Sequence, residues 1–450
     1  MSRTRTGHIH LGAFMNAGPG GVGGWRHPDA ELGWFSPAYY QKIGRILEAA
    51  LFDFVFFADT VGIPRSFGNS IEDHVRYGVG APRLDPIPVI TLIAAATEKL
   101  GIGATVSTGF QQPYNVARSF ASLDHLSGGR VGWNVVTSFQ DAEALNFGKK
   151  KLPGRAERYD RANEFLEVTS KLWDSWGDGS LVLDKASGTF ADPARVHSID
   201  HAGKHFQVQG PLSVPRGPQG RPVIIQAGSS VEGRDFAARW ADVIFCSHES
   251  IESAIEFYAD LKGRAVKHGR DPDHIKILPA VTPIVGRDRA EADRLKREFE
   301  ELVPAEAGLA RLSYHIDVDL SRYDLDKPLP PLEVKGVFGH FREALEVSAR
   351  EGFTLRQLGR WYGARTEGNL VGSPAEIVDR MEQWFDRHAA DGFMTIPTHA
   401  PGAFEQFTAL VVPELQRRGL FRTAYEGATL RDNLGLPRPE ARDLRRRAAG

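Results

Sequence analysis

Cysteine is nearly absent: this chain of 450 residues holds one, Cys246, and only four methionines. A lone thiol closes no internal disulfide and builds no Cys-x-x-Cys metal knuckle, so stability must come from packing, as suits a reducing compartment. An excess of one charge is also lacking. Lysine plus arginine total 55 and aspartate plus glutamate 57, and 55 minus 57 leaves −2, which sets up no field for a polyanion or an anionic membrane. Nucleic acid and membrane are therefore not expected partners. Long hydrophobic runs are missing as well. The most apolar stretch, Ile87 to Thr97, is too short to span a bilayer, and the opening MSRTRTGHIH puts histidines where a signal peptide needs an apolar core, so a cytoplasmic location is expected. The sequence contains no Gly-x-Ser-x-Gly, His-Glu-x-x-His or P-loop motif and no repeat at solenoid spacing.

What is present is an alternation. Eight short apolar runs read as buried strands: Ile9 to Phe14, Phe54 to Ala58, Ile102 to Ser107, Val131 to Val136, Val223 to Ala227, Val243 to Cys246, Ile277 to Ile284 and Phe393 to Ile396. Between them lie helical patterns such as Tyr159, Ala162, Leu166 and Trp173, or Ile377, Met381, Trp384 and Phe385, whose spacing gathers apolar groups on one face. Eight β-then-α units predict an α/β fold, a (β/α)8 TIM barrel. Ser373, Pro374, Ala375 and Glu376 mark one helix start as an N-cap, a first-turn proline and a capping-box acid. Two stretches break the alternation, at about 177–220 and 303–371. They are expected as insertions after the fourth and seventh strand regions, of the kind that form lids or subunit contacts. The reading is one barrel over 1–430 followed by a basic tail, 431–450, whose Arg445, Arg446 and Arg447 suit a solvated or subunit-clasping terminus.

Barrel sites gather at the carboxyl ends of the strands, which selects the polar residues that matter. Asp59 arrives there after Phe54-Val55-Phe56-Phe57-Ala58, as an acceptor for a ligand or as a turn residue bonding its own backbone. Asn134 interrupts the fourth strand, and its buried amide needs partners, whether ligand heteroatoms or neighbouring side chains; Thr105 and Ser107 in the third strand pose the same choice. After the fifth strand, Gly228, Ser229 and Ser230 precede a helical pattern, offering free N–H groups, hydroxyls and close approach to a phosphate, or simply a serine cap. Gly18, Gly20 and Gly23 match Gly-x-Gly-x-x-Gly but lead into Trp25-Arg26-His27-Pro28 rather than a helix, so a nicotinamide fingerprint is rejected in favour of a loop over the mouth. His8 and His10 imitate the His-x-His pair of barrel metal hydrolases. The sixth strand adds His248, but the eighth brings no carboxylate, and no metal site is expected.

Several segments carry a resemblance: LGAFMN, GGWRHPD from Gly23, FFAD ending at Asp59, PYNVARSFASLDHLSGGRVGWNVVTS from Pro113, ERYDRANEF from Glu157, QAGSS from Gln226 and DLSRYDLDKPLP from Asp319. Together they cover nearly the whole chain, which resembles the bacterial luciferase-like flavin monooxygenases of the nitrilotriacetate, EDTA and dibenzothiophene sulfone branch. The resemblance implies a two-component monooxygenase that receives reduced FMN (FMNH2) from a separate NAD(P)H-dependent flavin reductase and uses O2 on a small organic substrate, by cleaving a C–N, C–S or C–halogen bond. It assigns Asp59, Thr105 and Asn134 to the isoalloxazine side, and Tyr159, Gly228, Ser229 and Ser230 to the ribityl phosphate side. Relatives often carry a histidine four residues before the tyrosine; Arg155 stands there, and arginine pairs with phosphate but exchanges no proton near neutrality. His315 matches a region where relatives place a histidine near the substrate, and is the catalytic candidate. A homodimer or homotetramer is implied. A deazaflavin-dependent oxidoreductase, a metal-dependent barrel hydrolase using His8 and His10, and a non-catalytic flavin carrier are the alternatives. Arg26, Arg65, Arg76 and Arg83, in loops after the first two strands, suit an anionic substrate or the solvated surface equally.

Overall fold

Each of the eight apolar runs becomes a strand, and all eight close into one parallel barrel. The computed structural model describes residues 5–228, 230–248, 250–330, 332, 338–365 and 370–441. The strands are β1 (His10–Asn16), β2 (Phe54–Ala58), β3 (Gly101–Ser107), β4 (Val131–Val136), β5 (Val223–Gln226), β6 (Val243–Cys246), β7 (Lys276–Val281) and β8 (Gly392–Thr395). Each pairs with its neighbours in chain order, and β8 returns to β1. The seventh strand ends earlier than its apolar run. Pro283 has no N–H for the ladder, and Ile284–Val285 instead pair with Val371–Gly372 in a separate two-stranded ribbon.

Alternation decides what fills the barrel. On β2, Phe54 and Phe56 point inward, while Val55 and Phe57 join the core outside it. Glycines make room for them: a Cβ on Gly101 would stand 2.8 Å from Cβ of Phe54, and one on Gly103 would stand 2.7 Å from Cβ of Phe56. Two residues further along, the inward positions of β3 and β4 are no longer glycine but Thr105 and Asn134, which face each other in register. The interior thus changes from aromatic to polar toward the carboxyl ends of these strands.

The opposite end is closed by a repeated device. Asp53, Asp242 and Asp391 each stand just before an even-numbered strand and accept the N–H of a residue on the neighbouring one: Leu11 at 2.8 Å, Ile224 at 2.9 Å and Ile277 at 2.8 Å. Each also pairs with an arginine, respectively Arg422, Arg431 and Arg5. Burial opposes the charge of Asp53, but Arg422 and His10 outweigh it and hold the carboxyl below its ordinary range. The chain end supplies two of these arginines. Of the basic tail read over 431–450, residues 431–441 pack on the barrel rather than standing in solvent. Leu430, Leu434 and Leu436 pack against Phe54, Val223 and Leu278 as a plug, and Arg431 is buried. Arg445, Arg446 and Arg447 lie outside the described residues.

The stretch 177–220 carries two short hairpins, Leu181–Asp184 with Thr189–Ala191 and His201–Ala202 with Gln207–Val208. The stretch 303–371 holds the helices Ala305–Ile316, Phe338–Glu351 and Leu355–Ala364 around a core of its own that includes Leu309, Leu312, Leu358 and Tyr362. The first and third of these helices touch backbone to backbone, since a Cβ on Gly308 would stand 1.7 Å from the carbonyl oxygen of Gly359. Phe67, from the loop after β2, enters the same core, and Asp319 accepts the N–H of Gly68 at 2.8 Å. These contacts seat the excursion beside the barrel mouth. The capping box at Ser373 forms as read: Glu376 accepts the Ser373 N–H at 2.8 Å and donates its own to Ser373 Oγ.

Candidate active site

Asn134 lies inside the mouth with its Nδ2 donating to Thr105 Oγ1 at 2.8 Å. Its Oδ1 is buried without a hydrogen-bond partner among the described residues. A neighbouring side chain thus satisfies half of the amide and leaves one acceptor without a partner among the described residues. Below it, Phe14 stacks on Phe245 at 5.3 Å and meets Phe56 edge-on at 5.2 Å, an apolar floor.

Asp59 follows β2 at the same mouth, mostly buried. Burial pushes its carboxyl up to about 6; Arg83 pulls it down, while Asp85 and Glu143 raise it further. Of the four loop arginines, only Arg83 comes to this acid, through Thr60 Oγ1 at 3.1 Å. Arg26 donates to the carbonyl of Leu302, Arg76 pairs with Glu72, and Arg65 is exposed. Glu143, which sequence reasoning passed over, ties two loops together: it accepts Ser138 Oγ at 3.0 Å and the N–H of Val61 at 3.4 Å. Ser107 lies 2.9 Å from Ser138 in the same network. The only sequence signal was its place in a short capped turn, Gln140 to Glu143, a pattern common at any helix start.

Tyr159 and Ser230 come together at the mouth of the neighbouring units. The helix Arg155–Trp173 carries the tyrosine to the start of the helix Val231–Trp240, where Ser230 Oγ accepts the Gly233 N–H at 3.0 Å and is hydrogen-bonded to the tyrosine hydroxyl. Gly228 is required there, since a Cβ would lie 2.8 Å from Gly233 Cα. Ser229 lies outside the described residues. Arg155 is exposed beside Tyr159 and acts on Glu232 in the first turn of the following helix. Arg158, missed from the sequence, stands behind it. Its Nη1 donates to the Pro153 carbonyl at 2.7 Å, its Nε is buried without a partner among the described residues, and burial first, then Arg155, weaken its hold on its proton. The turn thus gathers two guanidinium groups, two hydroxyls and a helix amino terminus against one exposed carboxylate, a constellation suited to a phosphate.

His315 sits in the last turn of the helix Ala305–Ile316, with Nδ1 2.6 Å from the hydroxyl of buried Tyr362, inside the excursion. The side chain that reaches Asp59 is its neighbour Tyr314, which hydrogen-bonds Thr60 and whose hydroxyl burial pushes up to about 12. His10 pairs with Asp53 at the opposite end of the barrel, and His8 is exposed there; His248 bonds Ser253 Oγ at 3.3 Å and packs on Phe257. The three histidines weighed for a hydrolase metal do not meet.

A parallel eight-stranded barrel with a polar mouth and an anion-suited turn defines a barrel enzyme whose chemistry sits at the strand carboxyl ends. The luciferase-like monooxygenase family matches residues 14–391, and the chain belongs to it. It is 44% identical over 446 residues, 97% of this chain and 98% of the other, to dibenzothiophene-sulfone monooxygenase of Rhodococcus erythropolis strain XP. To nitrilotriacetate monooxygenase component A of Aminobacter aminovorans it is 41% identical, covering 96% and 97%. Among solved structures, a riboflavin lyase holding modified FMN and riboflavin superposes with a TM-score of 0.87 at 35% identity, covering 97% of this chain and 98% of that one. Structures that use coenzyme F420 share 15% identity and show the fold alone. Among the described residues no helix is long and apolar enough to cross a membrane.

Proposed function

We propose that the chain is the oxygenase component of a two-component monooxygenase that binds reduced FMN at the mouth and takes it from an NAD(P)H-dependent flavin reductase. The observation that carries this reading is the presence of two sites at the carboxyl ends of adjacent paired strands, β4 and β5: a buried amide with an idle acceptor at Asn134, and a cationic, hydroxyl-rich turn at Tyr159 and Ser230. A flavin mononucleotide has a ring bearing N–H donors at one end and a dianionic phosphate at the other. A relative named as component A and a solved relative holding modified FMN support both the cofactor and the division of labour.

Reduced FMN supplies the electrons and the O2 reactivity. The residues of this chain bind, orient and exclude water. Asn134 Oδ1 accepts from the ring edge, with Thr105 fixing the amide's direction. Arg155, Arg158, Tyr159, Ser230 and Gly228 hold the phosphate, together with Ser229. Phe14, Phe56 and Phe245 keep the floor dry. Asp59 is poised to be neutral or charged near pH 6, and Tyr314 and Arg83 both bond Thr60 beside that acid. His315 is the candidate for contact with substrate, a small organic molecule that loses a C–N, C–S or C–halogen bond. Its link to Tyr362 lets the excursion position it. Assembly into a homodimer or homotetramer belongs to the same reading.

Anaerobic titration with photoreduced FMN and with a reduced deazaflavin tests the cofactor. Tight binding of reduced FMN with rapid oxygen uptake supports the proposal. Preference for the deazaflavin without oxygen uptake overturns it.

A further inference from the structure

His27 and His399 come from opposite ends of the sequence, yet their rings stack in parallel, with centroids 3.5 Å apart and planes at 10°. Asp29 completes a group in which one potential ligand atom from each residue lies within 4.8 Å of the others. The loops that bring them are fastened independently of these side chains. Glu31 N–H donates to Ala400 at 3.1 Å, Ala30 bridges Pro401, and a Cβ on Gly24 would meet the Thr398 carbonyl oxygen at 2.2 Å. The meeting of the two imidazoles is therefore built in by the backbone.

We propose that His27, Asp29 and His399 bind one divalent first-row transition cation, of the zinc or cobalt kind, that clasps the glycine-rich loop after β1 to the loop after β8. Two neutral imidazoles and a carboxylate form the donor set that such ions prefer, whereas magnesium and calcium favour oxygen alone. A second observation marks the space. Gly402 stands beside the group, where a Cβ would lie 2.7 Å from His399 Nε2 and 3.2 Å from Asp29 Cβ, so any side chain there would fill the gap. Thr398 Oγ1 lies 3.0 Å from His399 Nδ1, where it accepts that N–H and leaves Nε2 as the ligand atom, whereas the Asp29 N–H donates to His27 Nδ1 at 3.1 Å, a bond that His27 gives up when it binds the metal. Coordination requires the half-buried His27 ring to turn out of the parallel stack so that the two planes converge. Glu298, paired with Arg294 at 2.6 Å, is the other charged group acting on His27. Three protein ligands leave a coordination position for water. His399 also lines the cavity at the mouth with Phe14, Asn16 and Trp34, so the clasp holds that cavity's rim in place.

The test uses the full-length protein, freed of metal with a chelator and titrated with Co2+ while visible d–d absorption and metal content are followed. One Co2+ per chain is expected, displaced by Zn2+, lost in His27→Gln and in His399→Gln, and weakened roughly tenfold in Asp29→Asn. The exposed control His8→Gln keeps it. Metal should also slow proteolytic cleavage between 18 and 36. If His399→Gln fails to fold, His27→Gln on the half-exposed loop carries the test alone. Absence of stoichiometric binding in the parent protein, or binding that survives the histidine substitutions, overturns the proposal. The outcome is independent of the flavin reading, because the titration needs no flavin.

Discussion

Thr105 Oγ1 accepts from Asn134 Nδ2 at 2.8 Å while Oδ1 of the same amide remains buried without a partner among the described residues. A fold that needed this residue only for packing would satisfy both ends, because an idle buried acceptor costs about 1–3 kcal/mol. Asn134→Ala therefore removes an unpaired group and changes the melting temperature of the flavin-free protein little. The same change weakens reduced FMN roughly tenfold, the worth of one hydrogen bond at about 1.4 kcal/mol. Calorimetric melts and anaerobic titration read the two effects separately.

At the turn after β5, the phosphate assignment separates FMN from riboflavin. Arg158→Gln and Ser230→Ala each lower FMN affinity by roughly tenfold or more and leave riboflavin affinity nearly unchanged, because riboflavin has no phosphate for these groups to hold. Ser230→Ala also removes the cap on the Gly233 N–H and costs about 1 kcal/mol of stability. Equal losses for both flavins would move the phosphate elsewhere.

Asp59 makes stability depend on pH. Its carboxyl is raised from 3.8 to about 6, so between those values the folded chain holds more protons than the unfolded one. Stability is then highest below about pH 4 as far as this group is concerned, and falls as pH rises through about 6. Asp59→Asn flattens this part of the curve, and urea midpoints compared at about pH 4 and about pH 7 measure it. A variant whose midpoints change with pH as the parent's do would place the origin in another group.

Arg422→Met leaves the Asp53 carboxylate buried beside the Leu11 N–H with its strongest counter-charge gone. A loss of about 3–5 kcal/mol in urea unfolding is expected. The double change Asp53→Asn with Arg422→Met costs less than the sum of the single ones, since the two groups act as a unit.

The barrel was legible in the sequence because a strand buried on both faces is an unbroken apolar run, and all eight runs became strands. Pro283 shows the limit: the run continued through a residue that cannot join the ladder. The packing of Arg422 and Arg431 was not legible in the sequence: a charge is buried when an aspartate waits for it, and no local pattern announces such a partner. At the mouth, Asp59, Thr105, Asn134 and Ser230 stood out as polar residues at strand ends. Glu143, Arg158 and Tyr314 did not, because each reaches the cleft from a loop or helix whose direction only the folded chain sets. His27 and His399 lie too far apart in sequence for any ligand spacing to connect them, whereas His8 and His10 had the spacing and lie at the wrong end.

Reduced FMN bound at this mouth should react with oxygen differently from free flavin. The protein, loaded anaerobically with photoreduced FMN, is mixed rapidly with oxygenated buffer while absorbance is followed. A flavin transient that outlasts that of free flavin, and that shortens when Asn134 is replaced by alanine, is expected. Oxidation at the free-flavin rate, in parent and variant alike, would contradict it.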